Sequence, residues 1–175
     1  AVVNPVVSNT YVIDGWRYFS DVAGTFKAGR DLNAVAKPPG YSNYLGFEVV
    51  VANFPGVAEA FWAEQRVEGY NTVPLAFGTT DAAPVTLLFS VRTSVVGLHS
   101  GVLTDGGNAR VFPFLFSVTA ANTWTKVAVT IPGDLAGTWA SLTTGTNMKV
   151  RFCLGAGTFR KPTALPTWQA DAVNS

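Results

Sequence analysis

VTLLFSVR, residues 85–92, is the stretch from which the fold class can be read. Val85, Leu87, Phe89 and Val91 fall on one side of an extended chain, with Thr86, Leu88, Ser90 and Arg92 on the other. Alternation with a period of two marks a strand with one buried face. The same pattern recurs outward in both directions. TKVAVTI (125–131) aligns Val127, Val129 and Ile131, and RVFPFLFSV (110–118) aligns Phe112, Phe114, Phe116 and Val118. NMKVRFCL (147–154) sets Met148, Val150, Phe152 and Leu154 against Lys149, Arg151 and Cys153. LGFEVVVA (45–52) and EAFWAEQRVE (59–68) are two further strands, the second with Phe61, Ala63, Gln65 and Val67 opposite Trp62, Glu64, Arg66 and Glu68.

The breaks between these runs are turn-rich: KPPGYSN (37–43), NFPG (53–56), TDGGN (104–108), PGDLAG (132–137) and TTGTN (143–147). Pro113 cannot donate to a ladder, which predicts an edge or a bulge in its strand. The best short helical candidate, GDLAGTWASL, is weakened by Gly133 and Gly137. Six or more strands joined by turns predict an all-β fold, an antiparallel β-sandwich of jelly-roll-like form. With no linker-like shift in composition, residues 1–175 read as a single β-sandwich domain with an N-terminal arm at 1–10 and a C-terminal tail at 158–175.

Charged residues make up 13% of the chain, about half of the roughly 25% usual for soluble domains. A surface so poor in charge is expected to be covered in part by other subunits. No run approaches the roughly 18 apolar residues of a spanning helix, so no membrane insertion is expected. The start, AVVNPVVSNT, lacks the basic opening and continuous apolar core of a signal peptide, and the chain is expected to be soluble. A net charge of +1 with no basic run argues against a nucleic-acid partner. Cys153 is the one cysteine, which leaves no internal disulfide to form and reads as a small, half-buried strand residue.

Few residues suggest chemistry. His99 lies between glycines in VVGLHSG, a turn context. One His and one Cys exclude the usual zinc ligand sets, so no metal site is expected. No phosphate-cradling loop, nucleophile elbow or EF-hand loop appears, and no cofactor is expected. Glu64 and Glu68 share a strand face about 13 Å apart, too far for the roughly 5–9.5 Å of a glycosidase acid–base pair. Two carboxylates from separate strands could still converge, but the expectation is that the protein is not an enzyme. Arg66 sits two positions from each glutamate, within reach of either or of a carboxylate on a neighbouring strand. Such a ladder is either a solvated sheet face, each pair contributing under about 1 kcal/mol, or a polar cluster that sets register or docks a subunit. Trp62, Trp124, Trp139 and Tyr70 could stack on sugars, or could pack the core or an interface. The candidate contact residues, for an interface or a glycan, are therefore Trp62, Glu64, Arg66, Glu68, Tyr70 and Trp139.

Short blocks spread over residues 59–155 carry a resemblance. They are QRVEGYN (65–71), FGT (77–79), APVTLLFSVRTS (83–94), RVFPF (110–114) and TWTKVAVTIPGDLAGTW (123–139). Together they closely resemble a recurring module of tailed-bacteriophage and prophage virion proteins, of tail-fibre or capsid-decoration type. The resemblance implies a jelly-roll-like sandwich on the virion surface, likened in related modules to carbohydrate-binding domains. It implies a non-enzymatic virion structural protein, a capsid decoration (cement) protein or tail-fibre component, that stabilises assembly through oligomeric contacts. The partners expected are other virion proteins of capsid or tail and further copies of the chain, with a homotrimer the commoner arrangement. The place expected is the virion surface, after assembly in the host cytoplasm. The alternative is a carbohydrate-binding module that attaches to host glycans. One departure is visible: the family pattern runs on to a final strand resembling FYITGVQLE, which does not occur before Ser175.

On this reading QRVEGYN is architecture, a strand ladder Glu64–Arg66–Glu68 leading into a turn at Gly69, with Tyr70 and Phe77 pinning the loop beyond. Arg66→Ala is then expected to lower the melting temperature or weaken assembly, measured by thermal melting and light scattering. A variant that assembles and melts like wild type would remove this reading.

Overall fold

The computed structural model describes residues 2–3, 8–22, 26–139 and 144–170. Of the described residues 47% are strand and 8% helix, the strands pairing antiparallel, and the fold is an all-β sandwich. The chain forms two compact units. The first comprises residues 1–65 and 153–161, and the second residues 66–152 and 162–175. The predicted arm lies in part outside the described residues.

In the first unit, β1 (Val2–Val3), β4 (Phe26–Arg30) and β5 (Leu45–Val49) form an antiparallel sheet in the order β1-β4-β5. A second antiparallel ladder joins β2 (Thr10–Ile13), β3 (Trp16–Ser20) and the first part of β6 (Ala60–Glu68). Val12, Tyr18 and Phe61 from this ladder share a core with Phe26 and Ala28 from the other. The rings meet at tilted angles, Tyr18 5.5 Å from Phe26 and Phe26 5.7 Å from Phe61, as electrostatically favoured aromatic pairs do. Burial pushes the Tyr18 phenol above its ordinary pKa. Strands β2, β3 and β4 carry weak alternation. Each is only four or five residues long, and packing around Phe61 and Phe47 sets which of their residues are buried.

The second unit opens with one helical turn, α1 (Gly69–Thr72), and then builds two sheets. In one, β7 (Val85–Val91) pairs antiparallel with β10 (Thr125–Ile131) along seven residue pairs. In the other, β8 (Gly97–Asp105) lies between β9 (Arg110–Val118) and β11 (Thr146–Ala156), with the two-residue β12 (Gln169–Ala170) on the far side of β9. The predicted faces meet here. Val85, Leu87, Phe89 and Val91 of β7, with Val127 and Val129 of β10, pack on Leu103, Phe112, Phe114, Phe116, Met148 and Val150. Phe89 sets its edge against Phe116 at 5.1 Å and Phe152 at 4.9 Å. Pro113 faces Val102 across the β8–β9 ladder, and β12 pairs with β9 only at Val111 and Arg110. At Pro113 the ladder to β12 has already ended. His99 is not in a turn: it lies within β8 opposite Phe116, its ring stacked 5.5 Å from that phenylalanine.

Gly101 shows how closely β8 is held. A Cβ placed there would sit 2.6 Å from the Arg151 carbonyl oxygen and 2.4 Å from the Phe114 ring. The backbone oxygen cannot swing away as a side chain could. Gly101→Ala is expected to destabilise the protein by about 1–3 kcal/mol, measured as a lowered urea midpoint with an unchanged slope.

Candidate functional site

One densely hydrogen-bonded side chain of the second unit is Asp134. It lies in the loop 132–139 after β10 and is 1% exposed. Arg110, the first residue of β9, donates to it twice, Nε to Oδ2 at 2.8 Å and Nη2 to Oδ1 at 2.7 Å. Trp139 Nε1 donates to Oδ2 at 3.2 Å, and the Ala136 N–H to Oδ1 at 3.3 Å. The Asp134 carbonyl in turn accepts from the Gly78 N–H at 2.7 Å. Hydrogen bonding to this carboxylate holds the Arg110 guanidinium above its ordinary pKa. Aromatic rings wall the node. Trp139 meets Phe77 edge-on at 4.8 Å and Trp168 at 5.6 Å, and Trp168 Nε1 donates to the Pro132 carbonyl at 2.7 Å. Gly137, at φ 82°, passes so close to Arg110 that a Cβ would lie 2.6 Å from its Cγ.

Three of the sequence blocks are thereby brought together: FGT through Phe77 and Gly78, RVFPF through Arg110, and IPGDLAGTW through Asp134 and Trp139. A carboxylate that accepts from four donors has no lone pair left for a substrate. Its chemistry is to tie three loops and strands into one arrangement. Trp139 is held by its N–H and by two ring edges, and is only partly exposed.

The β6 candidates are distributed differently along their strand. Trp62 is 9% exposed and lies parallel on Phe19, ring centroids 4.0 Å apart. Glu64 is 3% exposed and faces Arg17 of β3, with Arg17 Nη1 3.9 Å from its Oε1. Arg17 also donates to Asn9 Oδ1 at 2.6 Å and stands over the Tyr11 ring. Arg66 is half-buried and Glu68 is exposed at the end of the strand. Tyr70 is 55% exposed and Phe77 is 8% exposed, so Phe77 pins the loop while Tyr70 faces solvent. What anchors the segment locally is backbone and hydroxyl: Gly69 N–H donates to the Gly145 carbonyl at 3.0 Å, and Asn147 Nδ2 to Thr72 Oγ1 at 2.5 Å.

Lys149 and Arg151 occupy the polar face of β11, yet each is only 5% exposed. Both donate to Asn108 Oδ1 at 2.8 Å, from the β8–β9 turn. Asp105 closes that turn by accepting from the Gly107 and Arg110 N–H groups. Among the described residues no group of three or more His, Cys, Asp or Glu is placed to hold a metal ion.

Several bulky apolar side chains stand in solvent. Phe54 is 94% exposed, Leu98 73%, Leu88 71% and Val57 68%. In the first unit this surface concentrates in residues 49–57, which the alternation reads as strand end and turn. Two sequence signals could have marked it. VVVANFPGVA (49–58) carries no charge, and Pro55-Gly56 bars a central strand from continuing.

If the Asp134 node ties the unit, Asp134→Ala should cost about 3 kcal/mol, because it leaves a partly buried guanidinium uncompensated. The double replacement Arg110→Met with Asp134→Leu should cost less than the single one. Urea unfolding of the three proteins checks both points. No protein-family model matches this chain, and neither the curated proteins nor the solved structures contain a match to it.

Proposed function

We propose that this chain is a non-enzymatic structural protein of a bacteriophage particle, displayed on capsid or tail and held through contacts with its own copies and with other virion proteins. The observation that carries the reading is the exposed apolar surface combined with internal use of charge. Bulky apolar side chains stand in solvent at Phe54, Val57, Leu88, Val95, Leu98 and Phe159, and a lasting surface of this kind calls for a partner. The sequence blocks that resemble those of phage virion modules add support, since three of them meet at Asp134.

Light scattering at several concentrations tests the reading. The expected result is a stable oligomer, three-fold in the commoner arrangement, that does not dissociate on modest dilution. A monomer at every concentration that also fails to bind virion proteins would overturn it.

A carbohydrate-binding reading has one observation in its favour. Tyr70 presents a 55% exposed ring beside the acidic Glu68, and an exposed ring offers a flat apolar face to sugar C–H groups. Binding on a glycan array that Tyr70→Ala abolishes, without loss of melting temperature, would favour this second reading. Silence across envelope sugars would count against it.

A further inference from the structure

We propose that residues 49–57, together with Phe159, form a contact between copies of this chain. The inference rests on the assembly reading above and names the surface responsible. Between Glu48 and Glu59 the sequence VVVANFPGVA has no charged residue. Val49 is 55% exposed, Val50 41%, Val51 59%, Phe54 94%, Val57 68% and Phe159 59%. Phe159 belongs to the same patch, because its N–H donates to the Val57 carbonyl at 2.9 Å.

The stem of the segment is fixed before any partner arrives. Gly56 N–H donates to Glu59 Oε2 at 2.7 Å, and Glu59 N–H returns to the Gly56 carbonyl at 3.0 Å. Gly157 N–H donates to the Glu59 carbonyl at 2.8 Å, and Arg160 Nε to the Ala58 carbonyl at 2.8 Å. The two backbones touch here, since a Cβ at Gly157 would lie 1.9 Å from the Gly56 carbonyl oxygen. A preformed stem lowers the ordering cost of association.

Area and charge select the occupant. Taking roughly 200 Å² for a whole phenylalanine and somewhat less for valine, the six residues present on the order of 600 Å². That reaches the upper end of the largest patch on ordinary monomers and approaches the roughly 800 Å² per partner of a stable interface. A membrane anchor takes clustered basic flanks, whereas residues 49–57 are bracketed by Glu48 and Glu59, and Arg160 beside Phe159 is turned to the Ala58 carbonyl and Asp21, with Lys161 at the rim. Those acids are already engaged, Glu48 by Lys27 and Asn33 and Glu59 by the Gly56 N–H. Glu48 is thereby paired with a cation, so two copies can bring these segments together with the hydrogen-bonded Glu59 carboxylates at the rim. β5, the last strand of the sheet β1-β4-β5, runs directly into the segment, so the contact continues from a sheet edge, a common site of chain-to-chain pairing.

The test compares wild type with Phe54→Asp combined with Val57→Asp, by light scattering and thermal melting. The expected result is a wild-type oligomer and a folded variant whose apparent mass falls to that of the monomer. A variant as oligomeric as wild type overturns this contact while leaving the assembly reading standing. A wild type that is monomeric throughout overturns the contact and removes the oligomeric basis of that reading. Pelleting of the monomer with phosphatidylcholine vesicles, lost in the variant, would assign the segment to a membrane surface instead. Should the variant fail to fold, amide hydrogen exchange of wild type decides: protection of 49–57 that rises with protein concentration supports the contact, and protection independent of concentration overturns it.

Discussion

A carboxylate removed from water must recover a hydrogen bond on every lone pair, and the second unit is organised around meeting that demand at Asp134. Two bonds come from a guanidinium that starts β9, one from an indole, and one from a backbone amide of the same loop. Once these donors converge, the loop 132–139 has little freedom, and Gly78 and Gly137 are required where the chains pass. The aromatic wall of Phe77, Trp139 and Trp168 then closes over the node. A purely apolar filling could be as stable. The ion pair adds directionality, since a bidentate fork accepts a carboxylate in few orientations.

The same economy governs charge elsewhere. Arg17 pairs with Glu64, Lys27 with Glu48, Lys37 with Asp31, and Arg160 with Asp21. Lys149 and Arg151, which the alternation assigns to a polar face, are turned to a turn asparagine and nearly excluded from water. Charged residues make up only 13% of the chain, and Glu64, Asp105, Asp134, Lys149 and Arg151 among them are buried, which leaves few for its surface. Exposed valine, leucine and phenylalanine are the counterpart of that poverty in charge.

The strands with strict alternation are legible in the sequence. β6, β7, β9, β10 and β11 match the sequence runs to within a residue or two; Phe61 of β6 joins the core of the first unit, and the apolar faces of β7, β9, β10 and β11 meet in the core of the second. β2, β3 and β4 are not legible, because each is only four or five residues long and their burial depends on partners distant in sequence. β8 is hidden by its glycines. Gly97 and Gly101 read locally as turn residues, and Gly101 is a strand residue only because Phe114 and the Arg151 carbonyl crowd it from either side.

The candidate residues divide along the same line. Sequence spacing placed Trp62, Glu64, Arg66 and Glu68 on one face of one strand, and it excluded Glu64 and Glu68 as an acid–base pair, because a strand's rise is a local property of the backbone. Which of those side chains meets water was decided by the neighbouring strand, which lays Phe19 on Trp62 and Arg17 against Glu64. Class, period and charge poverty were therefore determined by the sequence alone, since each is a property of residues near one another in the chain. The Asp134 node and the exposed segment 49–57 were decided only by tertiary structure. Burial and exposure depend on what packs alongside, and no local pattern records which distant residue that will be.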